Sequence, residues 1–484
     1  MATIKKNFLY NATLTVSGYI FPLLTFPYVS RILGVHNLGI YNFMESIIQY
    51  FIILSVLGLY SVGVREIAEH RYEPNKLKNV FSSILVLNLV TSLVAICILI
   101  VSSFLIPSLS SYKEMILIGS VRIIFNALLI EWFFNGIENF RFITTRTLII
   151  RSLYVISIFI FVKEKDDYII YFILTSLLTI ANASINLIYS RKFTSFSFRN
   201  LSIKKYVKPM FTLGFYHILT SMYISFNVIY LGFVSGEDEV GIYTTATKIS
   251  GIFLSIFTAF TCVMIPRMSA LISEGKSTEF KSITAKSINI LFAFVMPLIV
   301  IAEIYAPQII SIISGDGYEK AIIPMRLVIP LIFVIGYEQI IIKQMLLPLK
   351  KDNAILKNSI YGATVSLICN ILFVKHLGAI GSSLVWIAAE LAVFVSAQYF
   401  VTKYVNYKFP FKYLIIEIIY SLPIILLNIL INNLFHNAII AFAVGVFATI
   451  LYYIIIICFI KKDSVINPII NSALKKCHIP YQLP

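Results

Sequence analysis

The chain has 484 residues, 59% of them hydrophobic and 13% charged, with a mean hydropathy of +0.88. A soluble domain is about 45–50% apolar and about 25% charged, so this composition excludes a soluble enzyme and points to a polytopic membrane protein. The formal net charge of +16 does not point to nucleic acid, because the cations sit in short loops between apolar runs and not on one soluble face.

A spanning helix needs about 20 mostly apolar residues. Fourteen candidate runs are centred near residues 19, 50, 93, 126, 153, 179, 221, 252, 296, 331, 365, 390, 421 and 449. The first, about residues 8–30, is too long for a signal h-region and lacks a small-residue cleavage site, so it is read as a span. It carries Pro22 and Pro27 and ends at Arg31. A proline inside a helix removes a hydrogen bond and bends it, which makes this stretch a candidate hinge. In the second run Asn42, Glu45 and Gln49 are spaced for one helix face. Arg122 lies early in the fourth run and Arg151 in the fifth, where snorkelling to the interface accounts for it. His217, Ser221 and Ser225 recur every four residues in the seventh, and Thr244, Lys248, Gly251 and Ser255 share a face of the eighth. Arg326 lies early in the tenth.

The loops set the orientation. With the N-terminus in the cytoplasm, 29 of the 39 Lys and Arg fall on the inner side and 6 on the outer side, which places both termini inside. Every loop is shorter than about 25 residues, too short for a soluble catalytic domain. The longest basic loop, about 191–208, separates two groups of six runs. Three matches support a repeat: Thr3-Ile-Lys-Lys6 with Ser202-Ile-Lys-Lys205, Gly34-Val-His-Asn-Leu-Gly-Ile-Tyr41 with Gly236-Glu-Asp-Glu-Val-Gly-Ile-Tyr243, and Arg122 with Arg326. The expected architecture is an all-α membrane protein with a six-helix lobe at 1–200, a second at 201–405, two further helices at 406–462 and a cytoplasmic tail at 463–484. Parallel repeats of this kind place a transporter's substrate site between the lobes.

No Walker-type Gly-rich loop, H-E-x-x-H or G-x-S-x-G motif occurs, and no His or Cys spacing forms a metal site. The five cysteines, Cys97, Cys262, Cys369, Cys458 and Cys477, read as small apolar residues. The chain therefore reads as a secondary-type transporter and not an enzyme. The chemistry lies in charges at bilayer depth, which cost about 2.5–3.5 kcal/mol each on insertion scales and face a cavity or a partner. Lys248 and Glu45 are candidate cavity residues. Glu131, Glu390 and Glu417 read as structural partners or polar bundle contacts, and His217 as a hydrogen-bonded packing residue.

Pro27-Tyr-Val-Ser-Arg-Ile-Leu-Gly34 followed by Leu38-Gly-Ile-Tyr-Asn-Phe43 resembles the first corner of bacterial polysaccharide-unit flippases of the Wzx type. Glu131-Trp-Phe-Phe-Asn-Gly-Ile-Glu-Asn-Phe-Arg-Phe-Ile-Thr-Thr-Arg146 resembles their fourth-helix segment, and Val240–Ile249 and Leu377–Glu390 are similar to further segments of that group. The resemblance covers about residues 1–400. It implies two six-helix bundles around a central cavity, as in the superfamily of multidrug-extrusion and lipid II flippases. It implies transfer of undecaprenyl-pyrophosphate-linked oligosaccharide units to the outer leaflet of the bacterial cytoplasmic membrane, by alternating access and without a bound cofactor. Arg31, Lys248, Arg122 and Arg326 would meet the pyrophosphate and sugars, since arginine and lysine suit a buried dianion. Glu45 would serve coupling to a proton or sodium gradient, with Pro22 and Pro27 as gating residues. Polysaccharide polymerase and chain-length machinery are the implied protein partners. Arg31 has a second reading, a pair with the acidic Glu237-Asp-Glu239 loop that closes an outer gate. The alternative function is a multidrug or small-cation antiporter of the same superfamily, against which the basic corners count. A membrane-embedded glycosyltransferase would need a larger outer loop than any present.

Overall fold

The computed structural model describes residues 4–199 and 201–456. The expected tail at 463–484 and Cys458 and Cys477 lie outside the described residues, as does the side chain of Cys262. Among the described residues the chain is helical and has no strand.

In order, the helices are α1 (Ile4–Val56), α2 (Leu59–His70), α3 (Pro74–Leu105), α4 (Pro107–Ser110), α5 (Lys113–Ala127), α6 (Glu131–Gly136), α7 (Phe140–Phe161), α8 (Tyr168–Ser190), α9 (Ile203–Ser221), α10 (Ser225–Ser235), α11 (Glu237–Ser273), α12 (Ser277–Ile304), α13 (Ala306–Ser314), α14 (Ile322–Val328), α15 (Leu331–Gln339), α16 (Asp352–Cys369), α17 (Lys375–Val405), α18 (Phe411–Leu434) and α19 (Ala438–Ile455). Two π-helical stretches, Ile340–Leu346 and Asn370–Val374, follow α15 and α16.

Nine of the described helices, or eleven counting two bent pairs, are long and apolar enough to cross a membrane. Two of these spans, Thr13–Val56 and Asp352–Val405, run for 44 and 54 residues, about twice what one crossing needs. Each contains a glycine with non-helical dihedrals, Gly34 (φ 72°, ψ 177°) and Gly378 (φ 53°, ψ −126°). The break in α1 thus falls at Gly34, and the helix runs through Pro22 and Pro27. Proline fixes φ at a helical value and costs a hydrogen bond, whereas positive φ is a conformation glycine adopts readily.

The first half of the chain, α1–α8, packs against the second, α9–α17, chiefly through α1 along α11 and α10 and through α2 against α9. Helices α18 and α19 pack on α12. Large apolar side chains on α3, α7, α18 and α19 point outward, among them Phe104, Leu105, Leu153 and Leu434, as expected of surfaces solvated by lipid. Arg151 is held inside the bundle, where its guanidinium donates to Ser17 Oγ at 2.6 Å.

Candidate functional site: a cavity between the halves

The two glycine corners meet at one end of the molecule, opposite the basic loops. Gly34 and Gly236 (φ 88°, ψ 175°) have nearly the same backbone conformation. Beyond them the chains touch reciprocally. A Cβ on Gly39 would lie 1.9 Å from the Glu237 carbonyl oxygen, and one on Gly241 would lie 2.2 Å from that of Val35. Both contacts therefore require glycine. The side chains repeat the pattern: His36 Nδ1 meets Asp238 Oδ1 at 2.8 Å, and Asn42 Nδ2 donates to Thr244 Oγ1 at 2.9 Å. In each pair the two positions are 202 apart, so residues equivalent by the repeat face one another across a local pseudo-twofold axis.

One turn further in, the Lys248 ammonium donates to Asn42 Oδ1 at 2.8 Å and lies over the Phe26 and Tyr41 rings at 5.1 and 5.9 Å. Among the described residues it has no carboxylate at ion-pair distance. The polar stripes expected on the second and eighth runs thus face each other through Asn42, Thr244 and Lys248. Beside them Arg122, 7% exposed, grips Glu45 with both terminal nitrogens at 2.5 and 2.8 Å. Two of the residues singled out from sequence are therefore one ion pair.

Toward the basic end a cavity of about 640 Å³ opens between the halves. Its walls include Asn88, Asn126 and Glu131 from the first half, and His217, Ser221 and Ser225 from the second. The last three are the stripe read from the sequence. Below the cavity the halves meet again. Leu57 has φ 43°, the Gly58 amide donates to the Met210 carbonyl at 3.1 Å, and a Cβ on Gly214 would lie 2.6 Å from Leu57 Cβ. Glu66 of α2 joins Lys205 of α9 at 2.8 Å. Burial pushes the Glu66 carboxyl up, but Lys205 and Arg65 outweigh it and hold the group below the usual carboxylate range.

Arg31 and Arg326 stand apart from this axis. Arg31 is exposed and donates to the Ile312 carbonyl near the end of α13. The acidic residues, which form the first turn of α11, take other partners: Tyr112 donates to Glu237, His36 meets Asp238, and the Ala379 amide donates to Glu239 at 2.7 Å. Arg326 is exposed and donates to the Glu303 carbonyl at 3.1 Å. Pro22 and Pro27 sit within the first segment of α1, before the Gly34 break.

Several features carry no signal in a single sequence. Asn88 and Asn126 are isolated polar residues in apolar runs. Glu131, which lines the cavity, pairs with Arg146 of α7 at 3.0 Å. A second cavity of about 490 Å³ between α12 and α19 has almost entirely apolar walls, including Phe294, Leu298, Phe442 and Ile450.

The fold is that of transporters built from two helical halves. A solved structure of the lipid II flippase MurJ, in an inward closed conformation, matches with a TM-score of 0.76 at 17% identity, over 92% of this chain and 97% of that one. An inward-facing multidrug resistance transporter of the MATE family matches with a TM-score of 0.60 at 13% identity, over 82% and 98%. Residues 4–272 match the model of the polysaccharide biosynthesis protein family, and the chain belongs to that family. A protein named as an O-antigen transporter, from Escherichia coli (strain K12), is 26% identical over 399 residues, 81% of this chain and 95% of that protein.

Proposed function

We propose that the chain is a flippase that moves undecaprenyl-pyrophosphate-linked oligosaccharide units from the cytoplasmic to the outer leaflet of a bacterial cytoplasmic membrane, for surface polysaccharide synthesis. In this reading it crosses the membrane fourteen times with both termini inside, as two six-helix lobes (1–200 and 201–405) followed by two helices. The observation that carries the proposal is Lys248. Its ammonium sits on the seam between the halves, with an amide and two aromatic rings around it and, among the described residues, no carboxylate at ion-pair distance. A pyrophosphate in that space would supply the missing negative charge through charge-assisted hydrogen bonds. The apolar cavity beside α19 suits a polyprenyl chain, and Asn88, Asn126, Ser221 and Ser225 among the largely apolar walls of the central cavity suit sugar hydroxyls. Contacts at both ends of the axis fit an occluded step of alternating access.

Coupling to an ion gradient belongs to the same proposal. Glu45 is held by Arg122. Glu338 and Glu390, each 5% exposed, are further buried acids in the second half and are candidates for coupling to a proton or sodium gradient. Polysaccharide polymerase and chain-length machinery would act on the delivered units.

The test is reconstitution in vesicles with a lipid-linked oligosaccharide, following its appearance on the far leaflet. Lys248→Arg should retain transfer and Lys248→Glu should abolish it at equal protein levels. Full activity in Lys248→Glu would remove this residue from the site. Failure of several such lipids to move, alongside gradient-driven efflux of organic cations, would establish the antiporter instead.

A further inference from the structure

The segment Glu131–Arg146 has a role that the central cavity does not use up. On the outer flank of the first half, at the basic end, lies a separate cavity of about 510 Å³. It is built at the N-terminus of α7, a 22-residue helix whose N-cap, Asn139, makes no capping bond with its side chain. The first amides of such a helix have no intrahelical partner and favour an anion.

The cavity is lined by more than a helix end. Arg146, 5% exposed, forms part of its wall. Two of its nitrogens are engaged, one with Glu131 at 3.0 Å and one with the Asn182 carbonyl at 3.2 Å, while its buried Nε has no partner. Arg141, at the cavity, is exposed and makes no ion pair among the described residues. Lys192 lies 5.0 Å over the ring of Tyr189, which itself stacks on Phe142 at 4.0 Å. Three cations thus gather around this cavity. Of the acids near its rim, Glu131 takes one Arg146 nitrogen and also lines the central cavity, and Glu138 pairs with Arg71 at 2.6 Å, which leaves Arg141 without a carboxylate partner among the described residues.

The surroundings identify the source of the anion. The cavity wall continues through Ile149 onto exposed Leu153 and Ile188, which are 57%, 58% and 66% exposed on the lipid-facing side. The following loop presents Phe196 and Phe198, 40% and 77% exposed, beside Arg191 and Arg199. Basic pockets between spanning helices at the cytoplasmic side receive anionic lipid headgroups, and aromatic side chains settle at the interface. A free anion would have no use for the apolar ramp.

We propose that this flank cavity binds the phosphate headgroup of an anionic phospholipid from the leaflet at the basic end, with Arg141, Arg146 and the α7 N-terminus as its donors. The site is distinct from the central cavity, and its test does not depend on what the protein transports.

The experiment titrates phosphatidylglycerol into the purified full chain in detergent. It reads unfolding temperature and lipids retained by native mass spectrometry, with phosphatidylcholine and inorganic phosphate as parallel probes. Phosphatidylglycerol should raise the unfolding temperature, and the two other probes should not. Arg141→Glu lies on the surface and should fold normally without lipid; it should need about tenfold more phosphatidylglycerol for the same response. Arg141→Gln should fall between the two and serves where the charge reversal fails to fold. An unchanged titration in both variants, or equal protection by phosphatidylcholine or by inorganic phosphate, would overturn the proposal.

Discussion

The corner at Gly34 and the corner at Gly236 have nearly the same backbone and opposite electrostatics. Each turns on a positive-φ glycine, and each places a second glycine against the other's carbonyl. Yet one carries Arg31 and His36, and the other Glu237, Asp238 and Glu239. The same asymmetry continues inward. Arg122 is buried on Glu45, while its repeat counterpart Arg326 is exposed and bonds a backbone carbonyl. Position 247, which corresponds to Glu45, is a threonine. The comparison teaches that the repeat preserves what joins the halves, and that ionic chemistry has diverged between them.

Four measurements bear on this comparison. The largest effects belong to Gly39→Val and Gly241→Val, which put side-chain atoms inside a backbone carbonyl contact. Each should cost about 3 kcal/mol or more in detergent unfolding, and near-equal losses would sharpen the symmetry. A large loss in one with none in the other would break it. Next, Arg122→Ala leaves Glu45 without its partner and should cost about 3 kcal/mol, whereas Arg326→Ala should stay within about 0.5 kcal/mol. Equal effects would mean that the two arginines are equivalent after all. Gly34→Ala and Gly236→Ala meet no atom within 4 Å but force a side chain into a glycine-only region, at about 1–3 kcal/mol each.

The smallest effect contrasts the two ends of the axis by pH. The folded-state value of Glu66 lies below its unfolded one. Its contribution is therefore complete above the ordinary carboxylate range and is lost as pH falls below about 4. Lys205 is more than half exposed, so the pair should add under about 1 kcal/mol. Unfolding temperatures of wild type and Lys205→Ala should differ slightly at neutral pH and converge in acid. A difference that grew in acid would contradict the assignment.

Much of this axis was legible in the sequence. The repeat offset of 202 at the corners is the offset at which His36 meets Asp238 and Asn42 meets Thr244. The stripes through Asn42, Lys248 and His217 marked faces that line the axis, because helical periodicity is local information. The pairing of Arg122 with Glu45 was not legible, since it joins residues 77 apart that nothing local connects. Nor was the partner of Arg31, because a backbone carbonyl has no sequence identity. The Gly34 break was masked by two nearby prolines, whose bending is the more familiar signal. The cavity wall at Asn88 and Asn126 consists of single residues without a periodic companion.

The seam between the corners has a mechanical consequence. Its closest contacts are made by main chain on main chain, and each side is the other's image. Like two identical knuckles, such surfaces can roll about their common line while every contact keeps its counterpart. The tightest packing between the two halves' corners thus falls on glycines whose loss neither side could absorb alone.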